Sequence, residues 1–408
     1  MTAEHPWAPA VGPVWAEIDL DAIASNVQEV RRHLPEGCRL LAVVKADGYG
    51  HGAIQVARVM LETGAHGLGV STVPEGLALR RSGVRAPILV LTPPRPADIE
   101  AALDAALTTV VVDLEGARAL GASARGRARP AVAHVKCDTG MGRYGFDHAS
   151  LGRAALELRG VKGVEWEGVF THFQRGADSA ASRVQLERLL AAVEEAGRAG
   201  LEFGLRHAAA SAAILSLPEA CLDMVRVGTL LYGRAPQTSG GLRLRPAFVL
   251  RAEPAQLREL RPGTAVGYGA EWRARRPTAV AVLPVGFADG LDMAPLGPYR
   301  RPRALLRALA RWLLTRLGLG TGLGPGLGAI EIGGHPLPVL GRVGMQQVTV
   351  DCSHVPPELR GLPTTVHVQP TAVSAHVARV YSRDGRIVAA TTLLGTLEGD
   401  TPAPATAR

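Results

Sequence analysis

Along the first 235 residues the apolar positions follow two alternating rhythms. Short β-branched runs are each followed by Ala/Leu/Arg stretches whose apolar residues recur three and four apart. The strand-like runs are Leu40–Ala46, Gly67–Thr72, Pro87–Thr92, Thr108–Asp113, Ala131–Asp138, Glu165–His172, Leu201–Ala209 and Met224–Tyr232. Helical stretches between them include Ala53–Thr63, Pro74–Ser82, Ala97–Ala106, Leu114–Ser123, His148–Leu158 and Ser182–Ala199. This repeated alternation predicts an α/β chain with a (β/α)8, TIM-type barrel over residues 21–240. A doubly wound open sheet is the rival. It calls for GxGxxG after the first strand, and Asp47-Gly-Tyr-Gly-His-Gly has the glycines without that spacing.

The texture changes near Arg243. Thr278–Val285, Ala329–Ile332 and Val348–Cys352 read as strands separated by proline and glycine, and Gly333-Gly334 signals a hairpin. A mainly β C-terminal domain is expected over 241–395, with a disordered tail at 396–408. The run Trp15–Leu20, within an N-terminal segment 1–20, is expected to pair with that domain. Within 295–328 an inserted helix carries Arg300, Arg303, Arg307 and Arg311 on one face and leucines on the other, followed by a Gly-rich loop. An inserted helix packed on the β domain is the simple reading; contact with a membrane or a partner is the sharper one.

Composition changes the picture only in places. With 408 residues, 47% of them hydrophobic, two domains are expected. The N-terminus has no apolar run, no stretch reaches bilayer-spanning length, and the four cysteines lack CxxC spacing. Together these suggest a reduced, cytoplasmic protein without a zinc cluster. The +8 net charge could suggest nucleic acid, but aromatics are only 4% and the basic residues are spread out, so nucleic-acid binding is not expected. Among 45 cationic residues only Lys45, Lys136 and Lys162 are lysines. Arginine cannot act as a neutral amine at working pH, so each lysine is a candidate for amine chemistry.

In a (β/α)8 barrel the chemistry sits where strands end. Lys45 lies there, in Ala42-Val-Val-Lys-Ala-Asp-Gly-Tyr-Gly-His-Gly. A lysine in an apolar strand either finds a carboxylate or is kept neutral, and a neutral amine can form a Schiff base. The glycines after it bring backbone amides that can approach an anion.

The stretch Ala42–Gly52 resembles the pyridoxal-phosphate lysine motif of alanine racemases. Further motifs of that family follow in order: Trp15-Ala-Glu-Ile-Asp-Leu, Lys136-Cys-Asp-Thr-Gly-Met-Gly-Arg-Tyr-Gly, Gly168-Val-Phe-Thr-His-Phe, His207-Ala-Ala-Ala-Ser, Met224-Val-Arg-Val-Gly, Gly267-Tyr-Gly, Gly286-Phe-Ala-Asp-Gly and Gly341-Arg-Val-Gly-Met. The resemblance implies a barrel followed by a β domain, pyridoxal 5'-phosphate as cofactor, and interconversion of L- and D-alanine for peptidoglycan precursors. It implies that Lys45 holds the cofactor and serves as one acid/base, with Tyr268 from the second subunit of a homodimer as the other. Arg226 would face the pyridine nitrogen. Arg143 would contact the substrate carboxylate, oriented by a carbamylated Lys136. His172 would lie near the ring and bond toward Tyr268. Tyr49, Ser211, Gly228 and Thr229 match phosphate-site positions, His367 falls where the family has a phosphate-reaching tyrosine, and Met345 falls at the substrate entrance.

Several positions depart from the family pattern. Ala210 replaces an asparagine, Phe287 a tyrosine, and Gly344 and Gln346 flank Met345 where cysteine and aspartate are usual. Loss of that rim acid opens the alternative of a broader racemase acting on serine, lysine or ornithine. Two other readings are a barrel-fold decarboxylase, which needs a carboxylate where Arg226 stands, and a non-catalytic cofactor carrier, which lacks a β domain.

Overall fold

A computed structural model describes residues 8–234, 241–291 and 329–402. The expected amphipathic helix and Gly-rich loop at 295–328 lie outside the described residues. The chain divides into two compact units, Leu20–Pro246 and a second made of Met1–Asp19 with Ala247–Arg408.

Strand β1, Val14–Asp19, belongs to the second unit. In the first unit eight parallel strands form the barrel wall: β2 Arg39–Val43, β3 Gly67–Val70, β4 Ile88–Val90, β5 Thr109–Val111, β6 Ala131–Asp138, β7 Val164–Phe170, β8 Leu205–His207 and β9 Met224–Val227, with the two-residue strand Phe146–Asp147 paired on β6 beside them. Parallel ladders join β9, β2, β3 and β4, and likewise β5, β6, β7 and β8. Single parallel bridges, Leu89–Thr108 and Ala210–Arg226, close the two gaps. The circuit is complete, and the barrel is the one expected from the alternating rhythm. Its strands are near-continuously apolar because both faces of such a sheet are covered. Leu41, Leu89, Val110, Phe170 and Met224, from five strands, pack into one buried cluster.

The helices lie where the apolar periodicity placed them: Ala53–Glu62, Val73–Arg81, Ile99–Asp104, Leu114–Ala124, Leu151–Leu158 and Ser179–Arg198. Side chains of Thr72, Asp113 and Asp178 accept backbone N–H groups at three of their starts. A further amphipathic helix, Leu20–Arg32, precedes β2.

In the second unit an eight-stranded sheet is built around β1. On one side β1 pairs antiparallel with Phe248–Ala252, and on the other parallel with Ala378–Arg383. Trp15 is buried there against Val11, Ala378, Val380, Ile387 and Ala390. The expected pairing of the N-terminal run with the β domain is therefore present. A second sheet joins Gln256–Leu260, Thr278–Leu283, Val348–Asp351 and Val339–Leu340, all antiparallel. The Gly333-Gly334 hairpin forms between Ile330–Ile332 and His335–Pro336, with φ of 52° and 79° at the two glycines.

Two expectations need correction. The tail is not unstructured from residue 396, because Gly395–Pro402 is a strand paired with Arg386–Thr392. Its ladder bonds come from tertiary pairing that the polar, proline-bearing composition of the tail does not reveal. Lys45 does not end a strand. The ladder of β2 stops at Val43, and Lys45 opens a short turn beyond it.

Candidate active site

The candidate residues of the barrel gather at or just beyond the C-terminal ends of its strands. Lys45 follows β2, Arg143 follows β6, His172 follows β7, Ser211 follows β8, and Gly228 and Thr229 follow β9. Lys136 and Arg226 project from within β6 and β9.

The turn carrying Lys45 is unusual. Ala46 (φ 52°, ψ 52°), Asp47 (φ 53°, ψ 51°) and Gly48 (φ 62°, ψ 41°) are left-handed, and Tyr49 continues with φ 54°. L-residues are held there at a cost of roughly 1–2 kcal/mol each. Such strain persists only where surrounding contacts over-determine it. Here the carboxylate of Glu75 accepts the Ala46 N–H at 2.7 Å, and Asp47 Oδ1 accepts the Ala53 N–H at 2.8 Å. The Lys45 amine is held below the ordinary lysine range by burial and by the Arg143 charge, against an opposing pull from Glu75.

Lys136 is 1% exposed, and its only hydrogen bond among the described residues is to the Cys137 carbonyl at 3.4 Å. Burial, reinforced by Arg226 and Arg143, pushes its amine down to about 7. Among the described residues Asp138 forms no ion pair with Lys136 or Arg143. The Asp138 carboxylate instead accepts the N–H groups of Gly140, Met141 and Gly142 at 2.8–2.9 Å, shaping the loop that presents Arg143. The Lys136 amine and the Arg226 guanidinium both lie over the Phe170 ring, at 4.9 and 5.1 Å from its centroid.

Arg226 is buried and held by four partners. It donates to the carbonyls of Thr171 (2.8 Å) and Ala208 (3.0 Å), and to ring nitrogens of His207 (2.9 Å) and His172 (3.2 Å). Burial, then the Arg143 charge, lowers it to about 9. His172 is forced down to about 3 by burial and the neighbouring cations, so it is neutral and free to accept from Arg226. The nine-tenths-buried His207 is likewise kept neutral, by burial first and the Arg226 charge second.

The histidine tautomers follow from this chain of partners. His207 Nδ1 accepts from Arg226, so its Nε2 carries the proton and donates to His134 Nδ1 at 2.8 Å. His134 Nε2 then donates to Glu167 at 2.8 Å. A directed relay thus runs from a half-exposed carboxylate to the buried guanidinium. Neither His134 nor Glu167 was a sequence candidate. The available signal was alternation along β6, which puts His134 and Lys136 on one face of the strand.

The residues matched to phosphate binding converge. Ser211 Oγ accepts the Gly228 N–H at 3.2 Å. A Cβ at Gly228 would collide with the Tyr49 hydroxyl, so the glycine keeps this cradle open. Tyr49 packs on Tyr232, with ring centroids 5.0 Å apart. Thr229 is exposed at the start of the short helical turn Thr229–Tyr232. A hydroxyl-rich cradle beside backbone amides, one depressed amine and a fixed guanidinium form a donor set that fits pyridoxal 5'-phosphate.

The other three candidates belong to the second unit. Tyr268 is 77% exposed in a turn flanked by Gly267 (φ 72°) and Gly269 (φ 74°). Met345 is 62% exposed, and its carbonyl accepts the Ala288 N–H at 2.9 Å. His367 donates its backbone N–H to Ala329 at 2.9 Å, and its ring lies 3.3 Å from Glu331.

Comparison with known proteins gives one answer. Residues 18–236 match the family model "Alanine racemase, N-terminal domain", and residues 247–304 match "Alanine racemase, C-terminal domain". The chain is 37% identical over 349 residues to the alanine racemase of Desulforamulus reducens, covering 84% of this chain and 86% of that one. It is 37% identical over 375 residues to that of Symbiobacterium thermophilum, covering 90% and 97%. Among solved structures, an alanine racemase of Clostridium difficile superposes with a TM-score of 0.82 at 27% identity, covering 94% of this chain and 99% of that one. One from Bacillus anthracis with bound L-Ala-P gives 0.80 at 27% identity, covering 95% and 99%. Sequence, architecture and donor set agree, and the chain belongs to the alanine racemase family, the pyridoxal 5'-phosphate-dependent isomerases that racemise alanine.

Proposed function

We propose that this chain interconverts L- and D-alanine with Lys45 and Tyr268 as its two acid/bases. The observation that carries the reading is an amine of depressed basicity, on a strained turn, in the same barrel mouth as an open anion cradle and a fixed guanidinium. Bound pyridoxal 5'-phosphate supplies the electron withdrawal that acidifies the substrate Cα–H. Tyr49, Ser211, Gly228 and Thr229 would hold its phosphate, with His367 as a further contact. Arg226 would meet the pyridine nitrogen as a donor. Because it keeps its proton, it limits how far the ring draws electrons, which favours proton return over side reactions. A decarboxylase needs the opposite, a carboxylate at that position.

Racemisation requires a proton taken from one face of the substrate and returned on the other. Lys45 Nζ, held below the ordinary lysine range by burial and by Arg143, is better suited than a solvated lysine to take a proton. The exposed Tyr268 would reach the site of a neighbouring subunit in a homodimer with shared sites, Tyr268 of the partner subunit acting on the far face. His172 would steady that phenol. Arg143 would bind the substrate carboxylate, and Met345 would line the entrance. A carbamylated Lys136 would orient Arg143, since an amine lowered to about 7 is nucleophilic enough to capture carbon dioxide. A cytoplasmic setting and supply of D-alanine for peptidoglycan accord with four free cysteines and with no described helix long and apolar enough to cross a membrane.

Tyr268→Phe tests the two-base reading. Racemisation of L-alanine should fall by about 100-fold or more while the melting temperature stays put. An unchanged rate would remove Tyr268 from the mechanism. Borohydride reduction of the holoenzyme should attach the cofactor to Lys45. Attachment to Lys162 would show that the lysine is misassigned.

A further inference from the structure

Glu75 is none of the sequence candidates, yet its carboxylate spans two successive strand-to-helix connections of the barrel. Oε1 accepts the Ala46 N–H at 2.7 Å, in the left-handed turn after β2. Oε2 accepts the N–H groups of Ser71 at 2.7 Å and Thr72 at 3.1 Å, in the connection after β3. The Thr72 bond, together with the Thr72 hydroxyl accepting the Glu75 N–H, is an ordinary capping box for helix Val73–Arg81. The bond to Ala46 has no part in capping. It reaches 29 residues back and lands one residue after Lys45.

That placement matters because Ala46 is the first of four left-handed residues, three of which are not glycine. A strained segment keeps its geometry only while something outside it holds it. Glu75 is that outside anchor at the lysine end, and Asp47 with Ala53 is the one at the helix end.

We propose that Glu75 is a positioning residue for Lys45, its carboxylate holding the left-handed turn so that the amine is aimed at the cofactor carbonyl. The proposal rests on Lys45 being the cofactor lysine. It assigns no contact between Glu75 and cofactor or substrate. Charge works in the same place: of the groups acting on the Lys45 amine, Glu75 favours its charged form and Arg143 opposes it.

The test compares two ligands on the full-length chain stripped of cofactor. 4-Deoxypyridoxine 5'-phosphate lacks the aldehyde, so its affinity reports the ring and phosphate cradle alone. Pyridoxal 5'-phosphate also needs a correctly aimed lysine. Glu75→Leu keeps the approximate size of the side chain but removes both acceptor oxygens, so the Ala46 N–H loses its acceptor. Pyridoxal phosphate affinity should fall by about tenfold or more, the scale expected when a reacting group is displaced by about an ångström. Affinity for the deoxy analogue should stay within about twofold. Thr72→Ala removes the helix cap without touching the Ala46 bond, and it should leave both affinities unchanged even if the melting temperature drops. Equal losses for both ligands in Glu75→Leu, no loss for either, or the same selective loss in Thr72→Ala would each overturn the proposal. Failure of the unaltered chain to bind pyridoxal phosphate while it binds the analogue would instead refute Lys45 as the cofactor lysine, and the proposal with it.

Discussion

At the scale of single residues, the site is governed by burial of bases among cations. Lys136 shows the consequence for stability. Below pH about 7 both the folded and unfolded chains carry its proton, and the fold bears the full cost of a buried charge. Between about 7 and the ordinary 10.5 only the unfolded chain holds the proton, so that cost fades as pH rises. In carbonate-free buffer Lys136→Met should therefore raise the melting temperature more at about pH 6 than at about pH 9. A larger gain at the higher pH would contradict the assignment. With carbon-13 bicarbonate present, a carbamate resonance absent from Lys136→Met would mark the proposed modification. The relay through His207 carries a separate cost. His207→Phe keeps an aromatic ring stacked on Phe170, 4.7 Å away in the native pair, but removes an acceptor from Arg226. Urea denaturation should show a loss of about 1–3 kcal/mol, the usual penalty for a buried donor left unpaired.

At the scale of elements, the barrel strands and their helices were legible because binary pattern and capping chemistry agree. Thr72, Asp113 and Asp178 stand where apolar periodicity starts, and each caps its helix. The turn after β2 was not legible. Its sequence, Lys45-Ala-Asp-Gly-Tyr, has one glycine, and nothing local forces Ala46, Asp47 and Tyr49 to positive φ. The bond to Glu75, 29 residues on, holds the turn there together with the Asp47–Ala53 bond. Gly145 is the opposite case, a position where only glycine fits. Its φ is 127°, and a Cβ would come within 2.8 Å of the Lys136 carbonyl and 3.0 Å of the Asp138 N. Gly145→Ala should cost about 1–3 kcal/mol in urea denaturation and weaken substrate binding through the Arg143 loop.

At the scale of the whole molecule, chain order and unit membership diverge. β1 comes first in sequence yet is an interior strand of the C-terminal sheet, bonded on both sides. A chain starting at Leu20 would split that sheet between Phe248–Ala252 and Ala378–Arg383 and strip the cover from the Val380 cluster. Limited proteolysis of such a chain should cut the C-terminal unit rapidly while a fragment near Leu20–Pro246 survives. Equal resistance of both units would show that β1 is dispensable.

The order of strands and helices, and the motifs that single out Lys45, Lys136, Arg143 and Arg226 as candidates, were legible in the sequence alone. Hydrophobic period, helix caps and residue chemistry are local properties, and a family motif is a string. Tertiary structure decided what depends on neighbours far along the chain. It turned Lys136 into a weak base by burying it beside two guanidinium groups, and it set two histidine tautomers by linking Glu167 to Arg226. It also bent the lysine turn into a left-handed path held by Glu75. Each of these is an environment rather than a residue, created only when separate strands close the barrel around a small, dry and crowded set of charges.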